Sequence, residues 1–220
     1  MKLLFTSLFL LLFQFSGLAQ CATKNTDMQA KAVLDGVSKK LKSFKTVNTK
    51  FTLRSENAAG KAMTSKVGTM IAKGNKYKLN ITGQEIFCDG ITVWTYDKAS
   101  NEVSITKNDN NAATITPQKL FTNFYDKDFL YKLNGEKKED GKNLQEIEMT
   151  PCNKTRPYSK IYLYIDKATS LITKTRVLEK SSNNRVSLSI SSIVSNGAVS
   201  DAIFVFNTAK YPGVEPIDLR

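Results

Sequence analysis

Few side chains in this 220-residue sequence could carry out acid–base or metal chemistry, because it contains no histidine. Serine and cysteine hydrolases of the triad type, His-Glu-x-x-His zinc enzymes and most mononuclear zinc enzymes need an imidazole, so these classes are excluded. The sequence also lacks a Gly-x-Ser-x-Gly motif, a phosphate-binding glycine loop and a Cys-x-x-Cys motif. Its 20 acidic residues leave a paired-carboxylate glycosidase open, although their spacing marks no pair. We therefore predict a protein that is not an enzyme and has no cofactor or metal.

The three cysteines are the remaining candidates for covalent chemistry. Cys88 and Cys152 could close a disulfide across 65 residues (152 − 88 + 1), which would stabilise the fold by about 4 kcal/mol in the chain-entropy model. The alternative is that both are small buried hydrophobic residues. Cys21 raises a different question, because its position next to a predicted cleavage site would allow lipidation.

The first 19 residues have the pattern of a secretory signal peptide. One lysine precedes an apolar stretch that is too short to span a bilayer comfortably, and Gly17 and Ala19 have the small-x-small spacing of a cleavage site. We predict cleavage after Ala19, which leaves residues 20–220 as one domain. Gln20 replaces the small residue that usually precedes a lipidated cysteine, so a soluble protein is favoured over an anchored one.

The charge of the chain is strongly positive but dispersed. Without Lys2 the sequence has 31 basic and 20 acidic residues, a net charge of +11. The lysines alternate with apolar positions, which favours a solvated surface over a nucleic-acid groove. We predict no nucleic-acid partner, and expect attraction towards acidic partners or anionic lipid headgroups.

The hydrophobic periodicity predicts one helix followed by a large antiparallel sheet. In TDMQAKAVLDGVSKKLKSFKT apolar residues recur at helical spacing, and Thr26 or Asp27 can cap the start. From Lys50 the period changes to two, with turns too short for crossover helices. The predicted strands are KFTLRSE, KVGTMIAKG, KYKLNIT, QEIFC, ITVWTYD, NEVSITK, FLYKLNG, NLQEIEMT, SKIYLYID, SLITKTRVLEK, NRVSLSISSIV and AIFVFN. The fold class is therefore α+β, with helices packed on a curved sheet.

A second helix interrupts the strands at TPQKLFTNFYDKDF. Pro117 takes the first helical position, and Leu120, Phe121 and Phe124 form an apolar stripe. The segment 116–129 could be an ordinary core helix or a movable cover, and we hypothesise the cover.

The stretch FCDGITVWTYD is apolar on both faces of a predicted hairpin. A two-residue Asp-Gly turn would pair Ile91 with Cys88 and Trp94 with Glu85. One face is then aliphatic and the other aromatic and polar, as it is again in SKIYLYID. Tyrosine and tryptophan tolerate partial hydration, so we place the aromatic face outside, on the convex surface.

The aliphatic face has more apolar area than two short helices could cover, which predicts a cavity. An ordinary sheet-on-sheet sandwich is the alternative. The predicted inward-facing cavity residues are Phe51, Leu53, Met70, Tyr77, Leu79, Ile81, Ile86, Val93, Ile161, Leu163, Ile165, Leu188 and Ile190.

Three stretches resemble the outer-membrane lipoprotein carrier family, LolA. FCDGITVWTYD resembles the Asp-Gly-x-x-x-Trp-x-Tyr hairpin of that family. The spacing from the first helix through KFTLRSE and KVGTMIAKGNKYKLNI is similar to its N-terminal half. FVFNTAKYPGVEPIDLR looks like its closing Phe-x-Phe strand, Pro-Gly-Val turn and Ile-Asp tail.

The resemblance implies an unclosed antiparallel half-barrel of about 11–12 strands and a function as a periplasmic carrier. Such a carrier would be monomeric and hold the acyl chains of lipoproteins in its cavity. It would receive them from an inner-membrane lipoprotein-releasing transporter and deliver them to an outer-membrane acceptor. A surface-anchored lipoprotein of related fold, which binds a lipid or peptide without transporting it, is the alternative. Many members have Lys-Arg-Pro where this chain has Lys73-Gly74-Asn75, so a latch that uses that arginine is in doubt.

Overall fold

The structure is a computed structural model that describes residues 27–108 and 125–220, apart from the side chains of residues 126 and 127. The predicted signal peptide, Cys21 and the three cover residues Leu120, Phe121 and Phe124 lie outside this part of the chain. The described helices are α1 (Met28–Lys42) and the short α2 (Tyr125–Asp128).

The strands of the described residues form a single sheet of 12 that is not closed into a barrel. In chain order they are β1 (Val47–Glu56), β2 (Ala62–Lys73), β3 (Lys76–Ile81), β4 (Gln84–Cys88), β5 (Thr92–Asp97), β6 (Glu102–Lys107), β7 (Phe129–Glu139), β8 (Lys142–Pro151), β9 (Tyr158–Asp166), β10 (Leu171–Glu179), β11 (Arg185–Ser195) and β12 (Glu215–Asp218). Their order in the sheet is β12-β6-β5-β4-β3-β2-β1-β11-β10-β9-β8-β7. The predicted half-barrel is confirmed. One pair, β12 with β6, is parallel, so the sheet is mixed.

Helix α1 packs on the concave face of only one half of the sheet. Its Ala30, Leu34 and Val37 are buried among residues of β7–β10, which form the largest core cluster. In β8 and β9, Ile147 and Ile161 are completely buried under it. A helix is about 10 Å wide, whereas neighbouring strands are about 4.8 Å apart, so one helix cannot cover twelve strands.

The other half of the sheet is joined to the first through β1 and β11. At this junction the ring of Phe51 lies over Gly68, its cross-strand partner. A Cβ at Gly68 would lie 2.4 Å from Phe51 Cζ and 2.7 Å from the carbonyl oxygen of Asn80. Glycine is therefore required here for the close approach of ring and backbone.

The convex face of β4–β6 is covered by the C-terminal segment. Phe206 and Tyr211 pack on Phe87 and Tyr96, so the aromatic face of FCDGITVWTYD has a partner of its own. The prediction of a strand at AIFVFN is wrong, because Asp201–Phe204 is a 3-10 helix. Phe204 and Phe206 are both buried, as the alternation predicts. Their rings pack onto the sheet, but their backbone does not add a strand to it.

The Asp-Gly turn has a longer loop than predicted. Cys88 pairs with Val93 and not with Ile91, because the Asp89 carboxylate accepts hydrogen bonds from the N–H groups of Ile91 and Thr92, both at 2.8 Å. The predicted register is therefore wrong by two residues. Side chains within β4 and β5 keep their predicted faces, whereas Ile91 lies in the loop and is 76% exposed.

Of the two possibilities that the sequence leaves open for Cys88 and Cys152, a disulfide between them is not formed in the structure. Cys88 is buried and keeps its thiol, which lies 3.4 Å from the N–H of Gly90. It ends β4, whereas Cys152 follows β8, and six strands lie between them in the sheet. Cys152 is disulfide-bonded.

Candidate functional site

The concave face contains an apolar cavity of about 360 Å³. Seventeen of the 19 described residues that line it are hydrophobic, two are threonines, and none is charged. The lining consists of Leu41, Val47, Thr49, Phe51, Leu53, Met70, Leu79, Ile81, Met149, Ile161, Leu163, Leu171, Ile172, Thr175, Val177, Val186, Leu188, Ile190 and Ile193. A pocket of this volume and composition can bury a small apolar ligand.

Nine of the thirteen predicted cavity residues line this space. They are Phe51, Leu53, Met70, Leu79, Ile81, Ile161, Leu163, Leu188 and Ile190. Tyr77, Ile86 and Val93 face the same way but pack with Ala72 and Cys88 in a small cluster beside it. Ile165 belongs to the core under α1. Contact of any of these residues with a ligand stays a prediction.

Ten lining residues were not predicted from the sequence, and two features of the strands account for three of them. Val47 and Thr49 precede Lys50, where the predicted strand begins, although they continue the same alternation. Ile193 breaks the alternation, because a bulge opposite Lys50 and Phe51 inserts an extra residue into β11 and brings Ile190 and Ile193 to one face. A bulge of this kind leaves no signal in a period-two pattern.

The cavity lies where the packing of the concave face is incomplete. Under α1, Ile147 and Ile165 are almost completely buried and lie outside the cavity lining, whereas the lining residues Leu79 and Leu188 are only partly buried. The lining is also uncharged at neutral pH. Next to the cavity, burial first, and then Cys88, raises the pKa of Tyr77 to about 12, so its hydroxyl stays protonated.

Ion pairs occur on the convex face and at the strand ends. Lys160 Nζ lies 2.5 Å from a carboxylate oxygen of Glu148 on the convex side of β8 and β9. At the turn between β2 and β3, Lys73 and Lys76 each lie 2.7 Å from the carboxylate of Asp201, and their hydrogen bonds lower its pKa to about 2. The turn between β2 and β3 is thus tied to the C-terminal segment by two lysines.

Neither a metal centre nor a membrane helix is present in the described part of the chain. No group of three or more histidine, cysteine, aspartate or glutamate side chains there could hold a metal ion. No helix among the described residues is long and apolar enough to span a bilayer.

An open sheet that encloses an uncharged apolar cavity defines a class of half-barrel binding proteins. The family model of the outer membrane lipoprotein carrier protein LolA matches residues 42–207, which is more than half of the chain. The protein therefore belongs to the LolA family. A comparison of its sequence with curated proteins gives no match.

A solved structure of low sequence identity shares the fold, and two others are less similar. A conserved protein from Thermus thermophilus is 12% identical, with a TM-score of 0.56 over 86% of this chain and 99% of that one. A LolA superfamily protein from Nitrosomonas europaea is 14% identical, with a TM-score of 0.42 over 80% and 97%. The MucA/MucB complex structure of Pseudomonas aeruginosa is 13% identical, with a TM-score of 0.40, over 82% of this chain and only 62% of that chain.

Proposed function

We propose that this protein is a non-catalytic carrier that binds the acyl chains of lipoproteins in its concave cavity. It acts in the periplasm after cleavage of its signal peptide and moves lipoproteins from the inner to the outer membrane. An inner-membrane transporter supplies the cargo and an outer-membrane acceptor receives it. Membership of the LolA family supports this proposal.

The observation that carries the proposal is the cavity of about 360 Å³ with no charged residue in its described lining. Its wall is formed by β1–β3 and β8–β11, with Leu41 of α1 at one side. Hydrocarbon that enters such a space leaves water without displacing a polar group from its partners, so transfer is favourable.

A carrier must also release its cargo, which limits how much of each chain it should bury. Each methylene removed from water contributes about 0.8 kcal/mol, so full burial of several long chains would bind too tightly for transfer. The volume of the cavity, about 360 Å³, is near the lower end of small-ligand pockets, which range over about 300–1,000 Å³. The volume is therefore consistent with partial burial and with release to an acceptor.

The proposal can be tested by placing a charge in the wall. Leu188 lines the cavity on β11, and its neighbour Ser189 is exposed on the opposite face of the same strand. We expect Leu188→Asp to reduce binding of a triacylated fluorescent lipopeptide at least tenfold, because the carboxylate would be desolvated by the ligand. Ser189→Asp, the matched control, should bind as the wild type does.

Circular dichroism of each variant shows whether the fold is kept. If Leu188→Asp does not fold, Leu188→Trp replaces it, since it fills the cavity without adding a charge. Unchanged lipopeptide binding in a folded wall variant would refute the proposal. Binding without transfer between inner- and outer-membrane vesicles would instead support the anchored, non-transporting alternative.

A further inference from the structure

Beyond the cavity, the concave face changes from apolar to polar. Ile81 and Leu79 of the cavity wall pair with Gln84 and Ile86 on β4. Antiparallel partners project to the same face, so the register can be followed outward along the sheet. Ile86 pairs with Thr95 on β5.

The same register continues to β6. Thr95 pairs with Ser104, and Val93 pairs with Thr106. Gln84, Thr95, Ser104 and Thr106 therefore form a polar strip on the concave face, one to three strand spacings from the cavity wall, or about 5–14 Å.

The hydroxyl groups of the polar strip are available to a ligand. All three residues that carry them are half-buried, and within the described part of the chain these hydroxyls make no hydrogen bond. The fourth polar group, the Gln84 amide, donates one hydrogen bond to Asp97 at 3.2 Å. A hydroxyl group can donate one hydrogen bond and accept two, so the strip matches a ligand rich in uncharged oxygen atoms.

The charges around the polar strip disfavour an anionic ligand. Asp97 and Glu102 are cross-strand partners at one end of the strip, and the charge of Lys66 on β2 acts on Asp97. The pKa of Asp97 is lowered by hydrogen bonds, first from the N–H of Ala99 and then from Gln84 and Ser100, and by a smaller electrostatic contribution of Lys66. This carboxylate is therefore ionised at neutral pH. Two carboxylates against one exposed lysine leave this end of the strip negative.

We propose that the polar strip binds the uncharged glyceryl ester head of an acylated ligand while the acyl chain occupies the cavity. Hydroxyl groups of Thr95, Ser104 and Thr106 donate to ester and glycerol oxygen atoms, and the neighbouring carboxylates repel a free carboxylate. The site thereby selects glyceryl-linked chains over free fatty acids. This inference rests on the proposed acyl-binding function of the cavity.

The test compares three ligands on two matched variants. The strip variant is Thr95→Val/Ser104→Ala/Thr106→Val. The control, Thr52→Val/Thr69→Val/Ser189→Ala, makes the same changes on the convex face of β1, β2 and β11. Direct binding of pyrenyldecane reports on the cavity alone, and its displacement by 1-monooleoylglycerol or by oleate reports on the head.

In the wild type we expect 1-monooleoylglycerol to bind at least tenfold more tightly than oleate. The strip variant should lose about tenfold in affinity for 1-monooleoylglycerol, since neutral hydrogen bonds are individually modest, and should keep its affinity for pyrenyldecane. The control variant should match the wild type for all three ligands. If the strip variant does not fold, Ser104→Ala alone should still weaken the binding of 1-monooleoylglycerol without weakening the binding of pyrenyldecane.

The outcomes separate the two proposals. If pyrenyldecane does not bind the wild type, the acyl-binding function of the cavity fails, and this inference fails with it. If all three ligands bind but oleate binds as well as 1-monooleoylglycerol, only the inference is overturned. It is also overturned if the strip variant binds all three ligands more weakly than the wild type by the same factor.

Discussion

Asp27 joins helix α1 to the edge of the sheet through both of its carboxylate oxygens. Oδ1 accepts hydrogen bonds from the N–H groups of Gln29 and Ala30, at 2.9 and 3.1 Å, and caps the helix. Oδ2 accepts a hydrogen bond from the N–H of Leu133 on edge strand β7, at 2.9 Å. One side chain therefore fixes where the helix begins and where it meets the sheet.

We predict that Asp27→Ala lowers the free energy of unfolding by about 1–2 kcal/mol, the usual effect of losing a helix cap. Asp27→Asn should cost less, because an amide oxygen can keep part of the cap but cannot replace both acceptors. Chemical denaturation at pH 7 checks both values. Equal stability of Asp27→Ala and wild type would contradict the role given to this carboxylate.

The same contact should depend on pH. Hydrogen bonds from the N–H groups of Leu133, first, and Ala30 lower the pKa of Asp27 below its ordinary value of 3.8. A lowered pKa in the folded state means that the contribution is complete above pH 3.8 and is lost as the pH falls through the lowered value. The stability gap between wild type and Asp27→Ala should therefore narrow below pH 3.8.

The cap could be predicted from the sequence, but the contact with the sheet could not. Asp27 stands directly before an amphipathic repeat, which is a local signal. Leu133 lies 106 residues further along the chain. The local sequence around Asp27 or Leu133 contains no signal for the hydrogen bond between them. Contacts of this kind depend on the tertiary fold.

At the scale of elements, the C-terminal segment acts as a second layer on the convex face of β4–β6. The ring of Phe206 lies 5.5 Å from that of Phe87 and 4.5 Å from that of Tyr211. The hydroxyl of Tyr211 donates a hydrogen bond to Glu85 at 3.0 Å. These contacts explain how a strand can be hydrophobic on both faces, since each face packs against a different part of the chain.

We predict that Phe206→Ala lowers the free energy of unfolding by about 3–5 kcal/mol, as expected for the loss of a buried aromatic ring. The neighbouring Val205 is 43% exposed, so Val205→Ala is a matched control that should change stability by less than about 0.5 kcal/mol. Denaturation followed by the fluorescence of Trp94, which packs against this cluster, checks both. Similar effects of the two substitutions would contradict the packing described.

The element types and faces were predictable, while pairings and registers were less so. Alternation in FCDGITVWTYD correctly assigns its two faces, because the hairpin is shifted by two residues and a shift of two preserves them. The sequence AIFVFN alternates in the same way, yet Phe204 and Phe206 are not in a strand. Alternation indicates which side chains are buried. It does not indicate whether the backbone of the segment pairs with another strand.

At the scale of the whole molecule, the two halves of the sheet differ in packing. Strands β8 and β9 lie under α1 and include Ile147, Met149 and Ile161, which are completely buried. The first half of β2, by contrast, is exposed along its length. Local stability follows buried apolar contact, so it should be unequal across the sheet.

We predict that amides of β8 and β9 exchange with deuterium most slowly, and amides of β2 and β3 faster. A bound triacylated lipopeptide should slow exchange mainly in β1–β3 and β11, because these strands supply much of the cavity wall. Hydrogen–deuterium exchange mass spectrometry with and without the lipopeptide measures both. Protection that rises uniformly, or only in α1, would contradict a binding site in the cavity.

Strand number and shear determine the diameter of a closed barrel. Because β7 and β12 do not pair, the curvature of this sheet is not fixed in that way. The sheet can curl or relax by small changes of twist between neighbouring strands while every ladder hydrogen bond is kept. The same cavity wall could then accommodate ligands of different sizes. In the absence of a ligand, the sheet would not have a single well-defined curvature.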